Sequence, residues 1–404
     1  MLQCGQLWGC GGGRATSLQC LKFRQRVSRP AGVRSTQDYT AAPKTPHHMN
    51  PYFVKGANNV ETMTKTYWQI AAGSLGRNYA GLFLKFGMAF VGGAKEVSTM
   101  AEVSVGDVVL LKIGRSKVFA VGEVVTRNGK HQGNGDKPWL KDFDGWDLSA
   151  YCYVDWRVPD CPVLTSALTR ATIQRVHKAE HKQIADSLLK LTVQPYEPEP
   201  PPTELIDDTI ILEFLIGEGL RPSAADELTN TFRRIRLLAD YYYRRGCWED
   251  IREHETRSFL VVPLLLALGW AEQQIKIELP IQNGRVDIAC FSRTYQRNNN
   301  ECVLILETKD FSSGLDYAPE QAHRYAEAFP SCQVVVVTNG YCYKTYIRSN
   351  EGKFDLKPSA YFNLLRPKDK YPLDPLNVNG ALGVLKWLLP NNVSSLSSPN
   401  NPST

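Results

Sequence analysis

The chain has 404 residues, of which 43% are hydrophobic and 22% charged, values close to those of an ordinary globular protein, so wholesale disorder and a fibrous repeat are both excluded. The longest apolar run, Phe259 to Trp270, contains Pro263 and falls short of the roughly 20 residues that a membrane-spanning helix needs. The net charge of +6 comes from residues 1–48, which hold seven Lys or Arg and one acid, Asp38, leaving 40 bases against 40 acids in the rest, so overall basicity gives no argument for a nucleic-acid partner.

Residues 1–48 carry a glycine tract (Gly11, Gly12, Gly13) and no periodic apolar face, and are read as a disordered or spurious basic leader with Met49 as the natural start of the folded chain. An Arg-rich, acid-poor targeting segment is the alternative reading of the same composition. Ten cysteines are scattered without a C-x-x-C pair, which predicts reduced thiols and a cytoplasmic location rather than a zinc site or a disulfide framework.

Residues 60–160 read as a β-rich domain. YWQIAA, VSVGDVVLLKIG and KVFAVGEVV are strand-like runs bounded by turn residues, and they predict a small closed or half-closed barrel. From Thr165 to Leu191 the apolar spacing is helical, and QPYEPEPPPT at 194–203 is a stiff proline-rich spacer within a helical connector at 165–250. Glu204 to Cys247 predicts two helices, the second with a basic run (Arg233, Arg234, Arg236) and an aromatic run (Tyr241, Tyr242, Tyr243), read as a solvated face beside a buried one. His177 and His181 stand four apart and are read as exposed polar residues for want of a third ligand.

Residues 251–350 form the unit in which chemistry is expected. A helix ending at Gly269, the strands IKIEL and RVDIACF joined by Asn283-Gly284, the strand CVLILETK, the helix PEQAHRYAEAF and the strands QVVVVT and YCYKTYI give the order αβββαββ. Cys302 and Cys332 beside apolar strands are read as small core residues. Residues 351–404 are rich in Pro and Asn and predict an irregular tail.

Strand alternation puts Glu307 and Lys309 on one face, with Asp287 in the preceding strand. Two acids and a lysine gathered at one sheet end are costly unless a cation or an anionic substrate occupies the place. Oxygen ligands suit a hard ion, so Asp287 and Glu307 predict a Mg2+ site, with Mn2+ as a substitute. Lys309 would steady the attacking water and the charge growing on phosphorus. Gln321, four residues before Tyr325 on the next helix, would orient Lys309, and Glu255 would add a carboxylate from the first helix.

HETRSFLVVPLLLALGW, GRVDIA, LILETK, QAHRYA and VVVTNG together resemble the nuclease domain of the PD-(D/E)xK superfamily, in particular the N-terminal nuclease region of type I restriction subunits. The resemblance implies a metal acid at Asp287, the E-x-K pair at Glu307 and Lys309, a Q-x-x-x-Y helix at Gln321 and Tyr325, and the helix acid at Glu255. It covers about a quarter of the chain. No Walker G-x-x-x-x-G-K-[ST] occurs, so no ATP-driven step is expected. WQIAAGSLGRNYAGLFLKFGMAFVGG with VGDVVLLKIGRSKVFAVGEV resembles a PUA-like or EVE-like domain. That implies a pocket for a flipped base, for which Trp68, Tyr79, Trp139 and Trp146 are the candidate aromatic faces and Arg77 the phosphate contact.

The fold class expected is thus an α/β nuclease core with a mixed sheet and flanking helices, a PUA-like barrel before it and a helical connector between. The leading functional reading is a Mg-dependent restriction-type DNA endonuclease, directed to modified DNA by the first domain and working on duplex DNA as a homodimer. A catalytically idle nuclease fold that binds DNA or RNA, and a DNA-repair nuclease, are the alternatives.

Overall fold

The computed structural model describes residues 65–396, apart from 74–75, 142–143, 245–249, 283, 298–300 and 372–378. Expectations placed on residues 1–48, on the final residues from 397 and on the Asn283 half of the Asn-Gly turn lie outside the described residues.

Eight strands build the first sheet: β1 (Tyr67–Ala71), β2 (Met88–Val91), β3 (Val108–Ile113), β4 (Lys117–Val124), β5 (Gln132–Asn134), β6 (Ala150–Arg157), β7 (Val163–Leu164) and β8 (Ile173–Arg175). Its main path runs β2-β6-β4-β3-β1-β8, with β5 on β6 and β7 on β4. Only β1 and β3 pair in parallel, Trp68 facing Val109. The path has no pairing between its β2 and β8 ends among the described residues, so the sheet is a half-barrel. α1 (Ala80–Phe86) and α2 (Ala94–Met100) bury Phe83, Phe86 and Met100 into its hollow, where Trp68, Phe90 and Trp156 complete the core.

Helical spacing between Thr165 and Leu191 is realised only in α3 (Ala179–Leu188); the residues before it contain β8, whose Ile173 pairs with Ile70 of β1. Edge pairing with β1 overrides the helical pattern there. The proline-rich stretch has no regular structure, as its composition dictates, but it does not hang free. Glu197 N donates to Lys85 O, and the Glu199 carboxylate accepts from Lys137, Trp139 and Tyr153. The spacer is strapped along the half-barrel.

α4 (Asp208–Gly217) is capped by Asp207, whose carboxylate accepts from Ile210 N, and α5 (Ala225–Arg244) follows. Next come α6 (Glu253–Thr256), a π turn over Arg257–Val261 and α7 (Val262–Ala267). The second sheet has the order β14-β13-β12-β11-β10-β9 and contains β9 (Ile275–Ile281), β10 (Gly284–Phe291), β11 (Cys302–Thr308), β12 (Val334–Thr338), β13 (Cys342–Ile347) and β14 (Ala360–Asn363). Only β11 and β12 are parallel, and α8 (Ala318–Ala326) makes the crossover between them. Their runs VLIL and VVVV are buried along their whole length, as expected for strands covered on both faces. The order αβββαββ is therefore present.

One correction concerns the tail. β14, α9 (Ala381–Leu388) and α10 (Pro390–Leu396) extend the fold well beyond residue 351. Val384, Leu385 and Leu388 are fully buried, and Trp270 Nε1 donates to Leu388 O at 2.7 Å. The interrupting prolines and asparagines masked an amphipathic helix, ALGVLKWL, that covers the second sheet.

The described residues fall within one compact unit, so the two sheets are joined rather than tethered. Gly76 and Gly314 touch backbone to backbone; a Cβ on Gly76, whose φ is +82°, would lie 2.9 Å from Gly314 O. Asn78 N donates to Asp316 Oδ2 at 2.8 Å, and buried Lys344 of β13 pairs with Asp316 at 2.8 Å and with Asp144 at 3.6 Å.

Candidate functional site

The antiparallel register of β10 and β11 sets Ile288 against Leu306. Asp287 and Glu307, one step further on, therefore meet at the end of the ladder, at a cross-strand spacing of about 5 Å between Cβ atoms. Asp287 Oδ2 accepts from Thr308 N at 2.7 Å and from Thr308 Oγ1 at 2.9 Å, while Oδ1 accepts from Arg257 Nη1 at 3.2 Å. Glu307 is 1% exposed. Its Oε1 accepts from Lys309 Nζ at 2.6 Å, and its Oε2 is buried with no hydrogen-bond partner among the described residues. Burial first, then the charge of Asp287, push the Glu307 carboxyl up to about 7 against the pull of Lys309.

Lys309 stands at the centre of a short chain of polar groups. Beside Glu307, its Nζ lies 3.5 Å from Gln321 Oε1 and 3.7 Å from Glu253 Oε1. Gln321 Nε2 donates to Tyr325 OH at 3.0 Å, so both expected members of the α8 face are in place. Tyr325 leans on Gly284, where a Cβ would meet its hydroxyl at 2.9 Å. Burial acts to lower the Lys309 ammonium, but the hydrogen bond to Glu307 and the surrounding acids outweigh it and leave it raised.

The helix acid is placed differently from the expectation. Glu255 turns back to accept from Arg252 N at 3.1 Å, closing the start of α6. Glu253 is the residue that joins the group. Asp310, immediately after Lys309, accepts from Glu253 N at 3.0 Å and pairs with Arg252 at 3.2 Å, which docks the start of the helix onto the end of β11. Burial, opposed by Lys309 and assisted by Asp287 and Asp310, raises the Glu253 carboxyl. Arg257 was also missed. It is 4% exposed at the start of the π turn and pairs with Glu278 at 2.7 Å as well as with Asp287. The i,i+4 spacing of Glu253 and Arg257 was the available signal, since it puts both on one helix face.

No group of three or more His, Cys, Asp or Glu side chains is arranged to hold a metal among the described residues. The site instead offers two carboxylates, the number that Mg2+ commonly takes while keeping its remaining waters. The orphaned, desolvated Glu307 Oε2 is an oxygen that a cation would satisfy, so the donor set fits such an ion.

The base-reading candidates are placed in the core. Trp68 is 1% exposed and its Nε1 donates to Asp107 Oδ2 at 2.9 Å; Trp139 packs on Phe86 and donates to Glu199. Tyr79 is buried against Phe90. Trp146 is half-buried beneath the Arg77 guanidinium, 4.1 Å from its ring centre. Arg77, expected as a phosphate contact, is buried and donates to Asp144 O, Ser312 O and Tyr341 OH, so it ties the two sheets together. A half-barrel has a thin core, and these large rings are what fills it. His181 is likewise buried rather than exposed, its Nε2 2.8 Å from Ser166 O, whereas His177 is exposed. Cys302 and Cys332 are buried core residues.

Residues 252–357 match the family model of the type I restriction enzyme R protein N terminus. That segment is similar to part of a restriction enzyme. It is about a quarter of the chain, and it contains Glu253, Arg257, Asp287, Glu307, Lys309 and Gln321 but none of the first sheet. No curated protein matches the chain. No helix among the described residues is long and apolar enough to cross a membrane.

Proposed function

We propose that the chain is a metal-dependent DNA endonuclease of restriction type. The observation that carries this reading is Glu307: a carboxylate driven into the sheet end, with one oxygen on Lys309 and the other unsatisfied, beside a second acid. Asp287 and Glu307 would hold Mg2+, or Mn2+ in its place, and the ion would polarise the phosphoryl oxygen and lower the pKa of bound water. Lys309 orients the attacking water and opposes charge developing on the phosphoryl oxygens. Gln321, fixed by Tyr325, limits the directions Lys309 can take. Glu253, within 3.7 Å of the same ammonium, is suited to take up a proton because burial weakens it as an acid. Arg257 on one oxygen and Thr308 on the other hold the Asp287 carboxylate in one orientation.

A catalytically idle nucleic-acid-binding protein is the second reading, favoured by one observation: both Asp287 oxygens already accept from Thr308 or Arg257. Cleavage of supercoiled plasmid DNA separates the two. Nicking that requires Mg2+, stops with chelator and is lost in Lys309→Ala supports the nuclease; binding without nicking at any Mg2+ or Mn2+ concentration supports the idle form.

A further inference from the structure

A cleft of about 710 Å³ opens where α5, the segment following β14, and the residues Lys141 and Gly145 come together. Five bases line it: Lys141, Arg233, Arg236, Arg244 and Arg366. The two acids in the lining are both taken, Asp208 by Arg236 and Asp240 by Arg244. Lys141, Arg233 and Arg366 have no carboxylate partner among the described residues. Outside residues 1–48 the chain has equal numbers of bases and acids, so this excess is a local feature built by the fold.

The bases are also aligned. Arg233, Arg236, Asp240 and Arg244 recur every three or four residues, which puts them on one face of α5. At 1.5 Å rise per residue, Arg233 and Arg244 lie about 16 Å apart along the helix. That is the length of about five phosphates on one strand of duplex DNA. The one aromatic ring in the lining, Tyr243, packs edge-on against Tyr341, so stacking of bases is not what the cleft is built for. The end of α5 connects the cleft to the site described above: Tyr242 packs on Phe311, two residues after Lys309, and Phe311 packs on Tyr341.

We propose that this cleft holds the phosphate backbone of double-stranded DNA beside the scissile bond, with Lys141, Arg233 and Arg366 as its phosphate contacts. The proposal rests on the nuclease reading for the identity of the strand that is cut, and it assigns a second, sequence-independent anchoring site to the same substrate.

The test is a fluorescence-anisotropy titration of the full chain with a short blunt DNA duplex in chelator, repeated over a range of salt. Arg233→Glu is expected to weaken binding about tenfold or more and to reduce the slope of log affinity against log salt by about 1. Arg234→Glu makes the same change in net charge one residue along, on a side chain that lines a different hollow, and is expected to leave affinity and slope close to wild type. Equal losses in the two variants, or no loss in Arg233→Glu, would overturn the cleft. Tighter binding of an RNA duplex of the same sequence would overturn DNA as its occupant. Because binding is read without metal, failure of the nuclease reading is seen separately: duplex binding that depends on Arg233 without any Mg2+-dependent nicking keeps the cleft and removes the cutter.

Discussion

Lys309 Nζ lies 2.6 Å from one oxygen of Glu307, and the other oxygen of that carboxylate is buried without a hydrogen-bond partner among the described residues. A structural ion pair would be expected to satisfy both oxygens, because a half-satisfied buried charge costs more than an apolar pair. The arrangement therefore stabilises the protein less than it could, which is what the proposed role of Glu307 in the site leads one to expect.

Glu307→Gln is expected to lower nicking by about a hundredfold to a thousandfold while leaving thermal stability equal or higher, since it removes a desolvated charge. Lys309→Ala is expected to lose activity to the same degree and also to destabilise, because it strands Glu307. Plasmid nicking and calorimetric melting measure the two effects; a Glu307→Gln protein that melts lower and cuts normally would contradict the assignment.

Glu253 and Glu255 can be told apart in the same assay. Glu253→Gln, beside Lys309, is expected to cut at least about tenfold more slowly with little change in melting. Glu255→Gln loses part of its acceptor for Arg252 N and is expected to cost about 0.5–1 kcal/mol of stability with cleavage retained. The reverse pattern would return the helix acid to Glu255.

The ionisation of Glu307 sets a pH dependence of stability in metal-free protein. Its folded-state value, about 7, lies above its ordinary value of 4.5, so the folded state binds the proton more tightly than the unfolded state does. The stabilisation is complete below about pH 4.5 and is lost as pH rises to about 7, a change of about 3 kcal/mol. Urea unfolding at the two ends of that window should show this loss in the wild type and its absence in Glu307→Gln. Adding Mg2+ at the upper end should restore stability by binding the folded state alone, again only with Glu307 present.

The second sheet was legible because its strands are short, apolar and β-branched, and because a run such as VLILETK switches from core to charge at one defined point. Asp287, Glu307 and Lys309 come together for that reason, their places following from the register of β10 and β11, and Gln321 reaches them from α8. Two things were not legible. EHETR offers two acids in one turn, and the choice between them depends on Asp310, more than fifty residues away, which docks the helix by its backbone. Large aromatic residues in a β-rich segment carry the same letters whether they stack a ligand or fill a shallow core; only burial separates these, and burial depends on how the half-barrel closes over α1 and α2. The same holds for Arg77, whose partners Ser312 and Tyr341 belong to the other sheet.

That placement of Arg77 leads to an opposite expectation from a phosphate contact. An arginine on DNA phosphate contributes to the salt slope of binding and little to folding. An arginine buried between two sheets, donating to two carbonyls and a phenol and stacked over Trp146, contributes to folding and not to the slope. Arg77→Ala would leave Asp144 O, Ser312 O and Tyr341 OH short of a donor, at about 1–3 kcal/mol for each group left unsatisfied. Water entering the gap would offset part of that loss, so the expected total is about 3 kcal/mol. Arg77→Lys keeps the charge but not the fork, and should recover only a fraction. Melting curves and salt-dependent duplex titrations of both variants decide the matter: a lower melting temperature with an unchanged slope is the expected result, and an unchanged melting temperature with a slope reduced by about 1 would put Arg77 back on the nucleic acid.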